Sequence, residues 1–460
     1  MIFSGQMLYQ LLKPVITFSL NAYFKRIDVI GTENLEQDGV IYVCNHPSAL
    51  FDPIVAASRA KKSVYFLAGA EWFGSGFQQW LFRNEMNMIP VYRPWLAKDK
   101  KKAESSNDEM FRACYESLAE GKRVIIFPEA SSVTVPWVRE IKTGAVRIML
   151  GAEDFMKGEK KVKIIPIGLN YTNSHRFQTS VVMNVGEPID FSDLISKSWN
   201  DDKEKVVAMT DRVRQRMIDL LYYPDDLEQF EFIKDVKKLM TGVLKSELGV
   251  AEGDVAEEFR IRKQIVNEIN QITTNKPEDA KVVATELRSY IETFEAIGFR
   301  QYNPFEESGF LAFLKAVGLI ISLPLFVIGA IFNLIPFLMA QGVYKHFFKG
   351  KVTKKDAQGQ LNSAFAGSLG FASGLAVYLV WYIILWVIES QFIAVWLAFV
   401  LSVVLGYSCG RFAMLWYKWT IQTGKYIRWQ WLVISNLELI KSLLATRLRL
   451  INKLVKLRQS

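Results

Sequence analysis

The stretch Val40-Ile41-Tyr42-Val43-Cys44-Asn45-His46-Pro47-Ser48-Ala49-Leu50-Phe51-Asp52-Pro53 decides how the first half of the chain is read. Residues 40–43 are apolar, three of the four are β-branched, and such residues favour strands. The run ends in His46 and meets Pro47, and proline is preferred at the first position of a helix. The reading is strand, turn, helix start, with His46 just outside the helix and Asp52 about a turn and a half inside it. The alternation continues outward. Strand-like runs lie at 63–67, 88–92, 124–127, 162–169 and 181–185, with helical stretches such as 107–120 and 144–155 between them. Residues 25–195 therefore predict an α/β domain with a covered sheet.

Composition extends the reading to the whole chain. Of 460 residues half are hydrophobic and 13% aromatic, which excludes a disordered protein. At 22% charged residues the chain is too polar to be membrane helix throughout, so a soluble domain joined to a membrane part is expected. The formal charge of +9 is concentrated at the end, where residues 417–460 hold nine Lys/Arg against the single acid Glu438. A basic tail beside apolar segments suggests anionic lipid headgroups as its partner and not nucleic acid. Cys44, Cys114 and Cys409 form no CxxC pair, and His46, His175 and His346 are the only histidines. Neither a disulfide framework nor a metal site is expected. No basic segment followed by an unbroken apolar core opens the chain, so no cleavable leader is expected and the soluble part should face the cytoplasm.

The domain plan follows. Residues 1–24 are apolar but broken by Lys13 and Pro14, and read as an interfacial membrane helix. Residues 25–220 form the α/β domain, and 221–305 a charged helical linker punctuated by Pro224 and Pro277. Residues 306–416 form a membrane region. Its stretches 316–344, 357–388 and 390–410 carry no charge and are each long enough to cross a hydrocarbon core of ~30 Å. Glu389 alone separates the second from the third, predicting a transmembrane hairpin over 366–410. Lys345, Lys349, Lys351, Lys354 and Lys355 precede the hairpin and Arg411 and Lys418 follow it, which puts both flanks in the cytoplasm. A spanning first stretch would then violate parity. Pro324 and Pro336 interrupt it, so 316–344 is read as a re-entrant helical pair. The spacings Gly370/Gly374 and Gly406/Gly410 would let the hairpin backbones approach closely. Residues 417–460 form a basic amphipathic tail.

Four motifs carry chemistry. In the first, an imidazole suits a general base near neutral pH and Asp52 could hold its tautomer, given the turn at Pro47; a histidine capping a helix is the competing reading. In the second, Met88-Ile89-Pro90-Val91-Tyr92-Arg93, a strand delivers one arginine, either a phosphate ligand or a surface ion pair. In the third, Val124-Ile125-Ile126-Phe127-Pro128-Glu129-Ala130-Ser131-Ser132, an apolar strand ends in Pro-Glu and small residues, followed by the cations Arg139 and Lys142. The fourth, Ile164-Ile165-Pro166-Ile167-Gly168-Leu169-Asn170-Tyr171, reads as a buried strand.

In this order, over roughly residues 25–220, the four motifs resemble the phospholipid/glycerol acyltransferases of the PlsC type. The resemblance implies acyl transfer from an acyl thioester, on CoA or acyl carrier protein, to a hydroxyl of a glycerol-phosphate acceptor, without metal or bound cofactor. It implies that His46 is the base and Asp52 its partner, that Arg93 binds the acceptor phosphate, and that Glu129 with Ala130 and Ser131 helps form the acceptor site. Lys142 matches a basic position downstream. The chain departs from the pattern twice. Five residues separate His46 from Asp52 where four are usual, a spacing that looks like a glycerol-3-phosphate-type subset. Ala130 stands where the family usually has glycine, and its Cβ restricts positive φ. Glycerol 3-phosphate, its 1-acyl derivative and another lyso-lipid all stay open as acceptors, as does a non-catalytic lipid-binding role. No GxSxG elbow occurs in the α/β domain, and the one such string, Gly406-Tyr407-Ser408-Cys409-Gly410, lies in the apolar stretch 390–410, so direct transfer is expected, with amides after Pro47 as candidate oxyanion donors.

Overall fold

The computed structural model describes residues 7–92, 100–135, 137–224, 227–251, 254–299, 309–352 and 362–459. They fall into two units, Met1–Tyr223 with Phe348–Leu369, and Pro224–Phe347 with Gly370–Ser460.

In the first unit α1 (Met7–Tyr23) leads into β1 (Arg26–Ile30) and β2 (Val40–Cys44). Then come α2 (Phe51–Arg59), β3 (Val64–Gly69), β4 (Met88–Val91), α3 (Lys100–Ala119), β5 (Arg123–Ile126), α4 (Gly144–Phe155), β6 (Lys163–Tyr171), β7 (Ser180–Val185) and α5 (Asp202–Asp219). The seven strands form one mixed sheet in the order β1-β7-β6-β2-β5-β3-β4. Every pair is parallel except β6/β7. The α/β architecture is the one the sequence predicts, with β1 added. All five residues of β2 are buried, as expected of a central parallel strand covered on both faces. Ile41 and Val43 point to one face and join a core with Met110, Cys114 and Leu118 of α3, Val146 and Met149 of α4, and Met209 and Val213 of α5. Tyr42 points the other way and donates to the Leu35 carbonyl at 2.6 Å. Gly31 (φ 75°) shows why the turn after β1 needs glycine: a Cβ there would lie 2.0 Å from the Val185 carbonyl oxygen. Tyr9 and Leu20 of α1 are buried, and Phe24 just beyond it meets Phe51 of α2 with ring centroids 5.0 Å apart. Met7, Leu11, Val15 and Phe18 of α1 are exposed.

The second unit is helical: α6 (Leu227–Glu247), α7 (Val255–Asn275), α8 (Pro277–Ala296), α9 (Gly309–Ile321), α10 (Leu323–Val343), α11 (Ala366–Glu389, from Gly370 on), α12 (Val395–Ser435) and α13 (Leu437–Gln459). Helices α6–α8 pack together and α13 lies against α7 and α8. Ile440, Leu443, Leu450 and Leu454 supply its buried stripe. Lys453 Nζ reaches Glu286 Oε1 at 2.6 Å, and Arg458 Nε reaches Glu268 Oε1 at 2.9 Å. The basic tail thus places part of its charge on the acids of the charged segment.

Three helices, Leu323–Phe348, Ala366–Glu389 and Val395–Ser435, are long and apolar enough to cross a membrane. The apolar stretch 316–344 breaks at Ser322, between α9 and α10. Pro324 does not break a helix but sits in the first turn of α10, where a missing N–H matters least, and Pro336 lies inside α10 without ending it. A short turn at 390–394 makes α11 and α12 a hairpin, tied by Ser402 Oγ donating to Glu389 Oε2 at 2.7 Å. The glycine spacings act only in part as the sequence suggests: a Cβ on Gly406 would lie 2.1 Å from the Tyr382 ring of α11. A Cβ on Gly370 or Gly374 would meet nothing within 4 Å. A second close seam joins α10 to α12, where a Cβ on Gly329 would lie 2.1 Å from the Cys409 carbonyl oxygen. At that level α12 has a wider π turn, Val404–Cys409, and Asn333 Nδ2 of α10 donates to the Leu405 carbonyl at 3.3 Å.

Candidate active site

The first and third motifs leave the carboxyl ends of β2 and β5, which are adjacent and parallel, so their loops meet on one edge of the sheet. Asn45 starts the first loop. Its amide donates to the Leu169 carbonyl at 3.1 Å and accepts from the Leu169 N–H at 2.7 Å. A side chain thereby extends the β2–β6 ladder by one step while the main chain turns away. Residues 45–50 are loop, and the helix begins at Phe51 and not at Pro47. Ala49 adopts φ 47°, which no right-handed helix accommodates. The Ser48 N–H donates to Asp52 Oδ2 at 2.8 Å and the Ala49 N–H to Ser132 Oγ at 2.7 Å. Both amides serve the loop and are not oriented as oxyanion donors.

This loop brings His46 and Asp52 together across their six-residue offset. Nδ1 lies 2.8 Å from Asp52 Oδ2, so with Asp52 ionised Nδ1 carries the proton and Nε2 keeps a lone pair. The imidazole stacks on Phe127, centroids 4.3 Å apart. Asp52 is fully buried. Burial pushes its carboxyl above the usual carboxylate range, opposed by the bond and charge of His46, the Ser48 N–H and the Tyr171 hydroxyl. Burial also drives the Cys44 thiol and the Tyr171 hydroxyl well up, with Asp52 adding to both.

The third-motif loop closes over the first. Ser132 Oγ donates to the His46 carbonyl at 2.9 Å, and Thr134 Oγ1 to the Pro47 carbonyl at 3.0 Å. Glu129 is buried, with Oε1 accepting the His46 main-chain N–H at 3.1 Å and Oε2 accepting Arg139 Nε at 2.9 Å. Arg139 Nη1 donates to Ser131 Oγ at 2.8 Å and Nη2 to the Ser131 carbonyl. Ala130 does take a positive φ, 60°. His46, Asp52, Glu129, Ala130 and Ser131 thus come together. Lys142 is joined through its main chain to the Pro128 carbonyl at 2.9 Å, while its exposed ammonium pairs with Glu140 at 2.8 Å. Arg93 lies outside the described residues. The sequence reading assigned no role to Asn45 or Ser132. Their signal was position alone, one residue before the histidine and three after the glutamate.

Residues 26–170 match the family model described as Acyltransferase. Glycerol-3-phosphate O-acyltransferase 1 of Saccharomyces cerevisiae is 26% identical over 133 residues, 28% of this chain and 17% of the yeast protein. Glycerol-3-phosphate O-acyltransferase 2 of the same yeast is 26% identical over 134 residues, 29% of this chain and 18% of that protein. The chain thus aligns with less than a fifth of either yeast relative. The crystal structure of the 1-acyl-sn-glycerophosphate (LPA) acyltransferase PlsC from Thermotoga maritima aligns with 46% of this chain and 80% of its own, at 20% identity and a TM-score of 0.32. Residues 26–170, with His46 and Asp52 within them, are a domain of the acyltransferase family.

Proposed function

We propose that this protein is a membrane-attached enzyme that moves a fatty acyl group from an acyl thioester, acyl-CoA or acyl-ACP, to a hydroxyl of glycerol 3-phosphate. The observation that carries the reading is the contact of His46 Nδ1 with the buried Asp52 carboxylate at 2.8 Å, inside the family-matched segment. Asp52 holds the Nδ1–H tautomer, and His46 Nε2 takes the proton of the acceptor hydroxyl as it attacks the thioester carbonyl. The carbonyl oxygen becomes an oxyanion, the tetrahedral intermediate collapses, and the proton passes to the departing thiolate. The acyl group comes from the co-substrate, so the scheme calls on no metal or bound cofactor. The names of the two yeast relatives favour glycerol 3-phosphate over its 1-acyl derivative. Arg93 is proposed to bind the acceptor phosphate, and Lys142 to add positive charge nearby.

The acyl chain belongs in a bilayer, and the three long apolar helices suit attachment to one. We place the protein in the cytoplasmic membrane with the acyltransferase domain on the cytoplasmic side, from the lysines before the hairpin. The exposed apolar face of α1 would lie in the interface.

The test is acyl transfer by detergent-purified protein, offering acyl-CoA and acyl-ACP against glycerol 3-phosphate and its 1-acyl derivative. The expected result is transfer to glycerol 3-phosphate that falls about 10³-fold in His46→Ala. Transfer that survives His46→Ala would remove the general-base reading; dominance of the 1-acyl acceptor would replace the substrate.

A further inference from the structure

Alanine 130 occupies a backbone conformation that glycine adopts freely and alanine does not (φ 60°). Such residues persist where their surroundings over-determine them. Here the Ala130 N–H donates to the Phe127 carbonyl at 3.2 Å and Ser132 Oγ ties the loop to the His46 carbonyl, and one side chain reaches both neighbours of Ala130. The Arg139 fork donates Nε to Glu129 Oε2 at 2.9 Å, Nη1 to Ser131 Oγ at 2.8 Å and Nη2 to the Ser131 carbonyl, so it grips the residues on both sides of Ala130. The grip is sheltered: the Glu129 side chain is 3% exposed and that of Arg139 19%. Its other end is the catalytic loop, because the second oxygen of Glu129 accepts the His46 main-chain N–H at 3.1 Å.

We propose that Arg139 is a positioning residue that holds Ala130 left-handed, and through Glu129 fixes the main chain of His46. The proposal rests on His46 acting as the base. Arg139 substitutes in this chain for the conformational freedom of a glycine at 130. Lysine in its place could still reach Glu129 but could not span Glu129 and Ser131, since an ammonium is a point charge and not a fork. Because the effect is on the placement of His46, it falls on kcat and not on the KM of either substrate.

The experiment measures kcat, both KM values and the thermal midpoint for Arg139→Lys and Arg139→Gln, each in the native background and with Ala130→Gly. Arg139→Lys is expected to lower kcat about 10- to 100-fold in the native background with KM unchanged. With Ala130→Gly present, the same substitution should lower kcat several-fold less, because the turn no longer needs holding. Arg139→Gln, which also leaves Glu129 without its cation, should be rescued less than Arg139→Lys. Equal losses in both backgrounds, a loss confined to KM, or a kcat that only follows the folded fraction would overturn the proposal. If the Arg139 variants do not fold, the midpoint of Ala130→Gly alone decides: a rise supports a strained alanine, and no rise overturns it. Failure of the functional reading is distinct, since it would appear as wild-type protein without transfer or with transfer indifferent to His46→Ala.

Discussion

The central strand of the first unit and the apolar helices α9–α12 of the second treat their apolar side chains in opposite ways. In the α/β unit β2 buries all five of its residues, and polar side chains at its end bond to residues distant in sequence: Asn45 with Leu169, Ser132 with His46 and Ala49, Glu129 with His46 and Arg139. Along α9–α12 large apolar side chains stand outward, with Phe392 82% exposed, Ile320 75% and Trp396 70%. Exposed apolar surface of this extent is the informative case, since water does not favour it. The difference shows that the first unit is specified by contacts distant in sequence. The second is specified by hydropathy, with a few close seams that set how its helices meet.

The largest expected effect tests the polar matching in the first unit. Asp52→Asn should lower kcat about 10³- to 10⁴-fold, because the amide no longer stabilises the imidazolium. Stability should move the other way. Burial raises the Asp52 pKa in the fold above its ordinary value. A carboxyl raised in this way contributes stability below its unfolded pKa, and loses it as pH climbs through the folded pKa. Thermal midpoints read from pH 4 to 8 should therefore fall less with rising pH in Asp52→Asn than in the native protein. An Asn variant that is both inactive and less stable at pH 8 would show that the carboxylate holds the fold, and the contrast between site and scaffold would collapse.

The next effect tests the seam in the second unit. Gly329→Ala drives a Cβ to 2.1 Å from the Cys409 carbonyl oxygen, a backbone atom that cannot step aside. It should destabilise the unit by about 2 kcal/mol in detergent melts. Gly374→Ala meets nothing within 4 Å and should be neutral or slightly stabilising. The reverse order would restore the hairpin seam that the glycine spacing suggests.

Legibility follows the same divide. The strands of the sheet except β1 could be read because buried parallel strands are dense in β-branched residues. Arg26-Ile27-Asp28-Val29-Ile30 alternates with charges, and its place beside β7 is a contact across the whole domain. His46 and Asp52 were readable as chemistry, but their helix start was not. Proline at 47 is a local signal, and it is overruled by Ala49 and by bonds from Asp52 and Ser132. Arg139 appeared as a cation near a motif; only the fold shows it gripping Glu129 and Ser131. The apolar stretches of the second unit were legible from hydropathy, but the length of α12 was not: it runs past the expected end at 410 to Ser435. The partner of each glycine was not, because in an apolar helix every face looks alike.

The smallest expected effect concerns the tail, whose basic residues suggest lipid headgroups as a partner. Lys453 and Arg449 of α13 face Glu286 of α8 at 2.6 and 3.9 Å. Both partners of the closer pair are about a third exposed, so the pair should contribute only about 0.5 kcal/mol. Lys453→Glu should cost about 1 kcal/mol, since it also sets two carboxylates against each other. Adding Glu286→Lys should recover part of this and not all, because the new lysine would then face Arg449. Raising salt to 0.5 M should shrink both differences, as expected of pairs that water reaches. If Lys453→Glu leaves the thermal midpoint untouched and instead weakens binding to anionic vesicles, α13 is held by lipid and not by the bundle. The tail would then belong with the apolar helices in the comparison, and not with the charged ones.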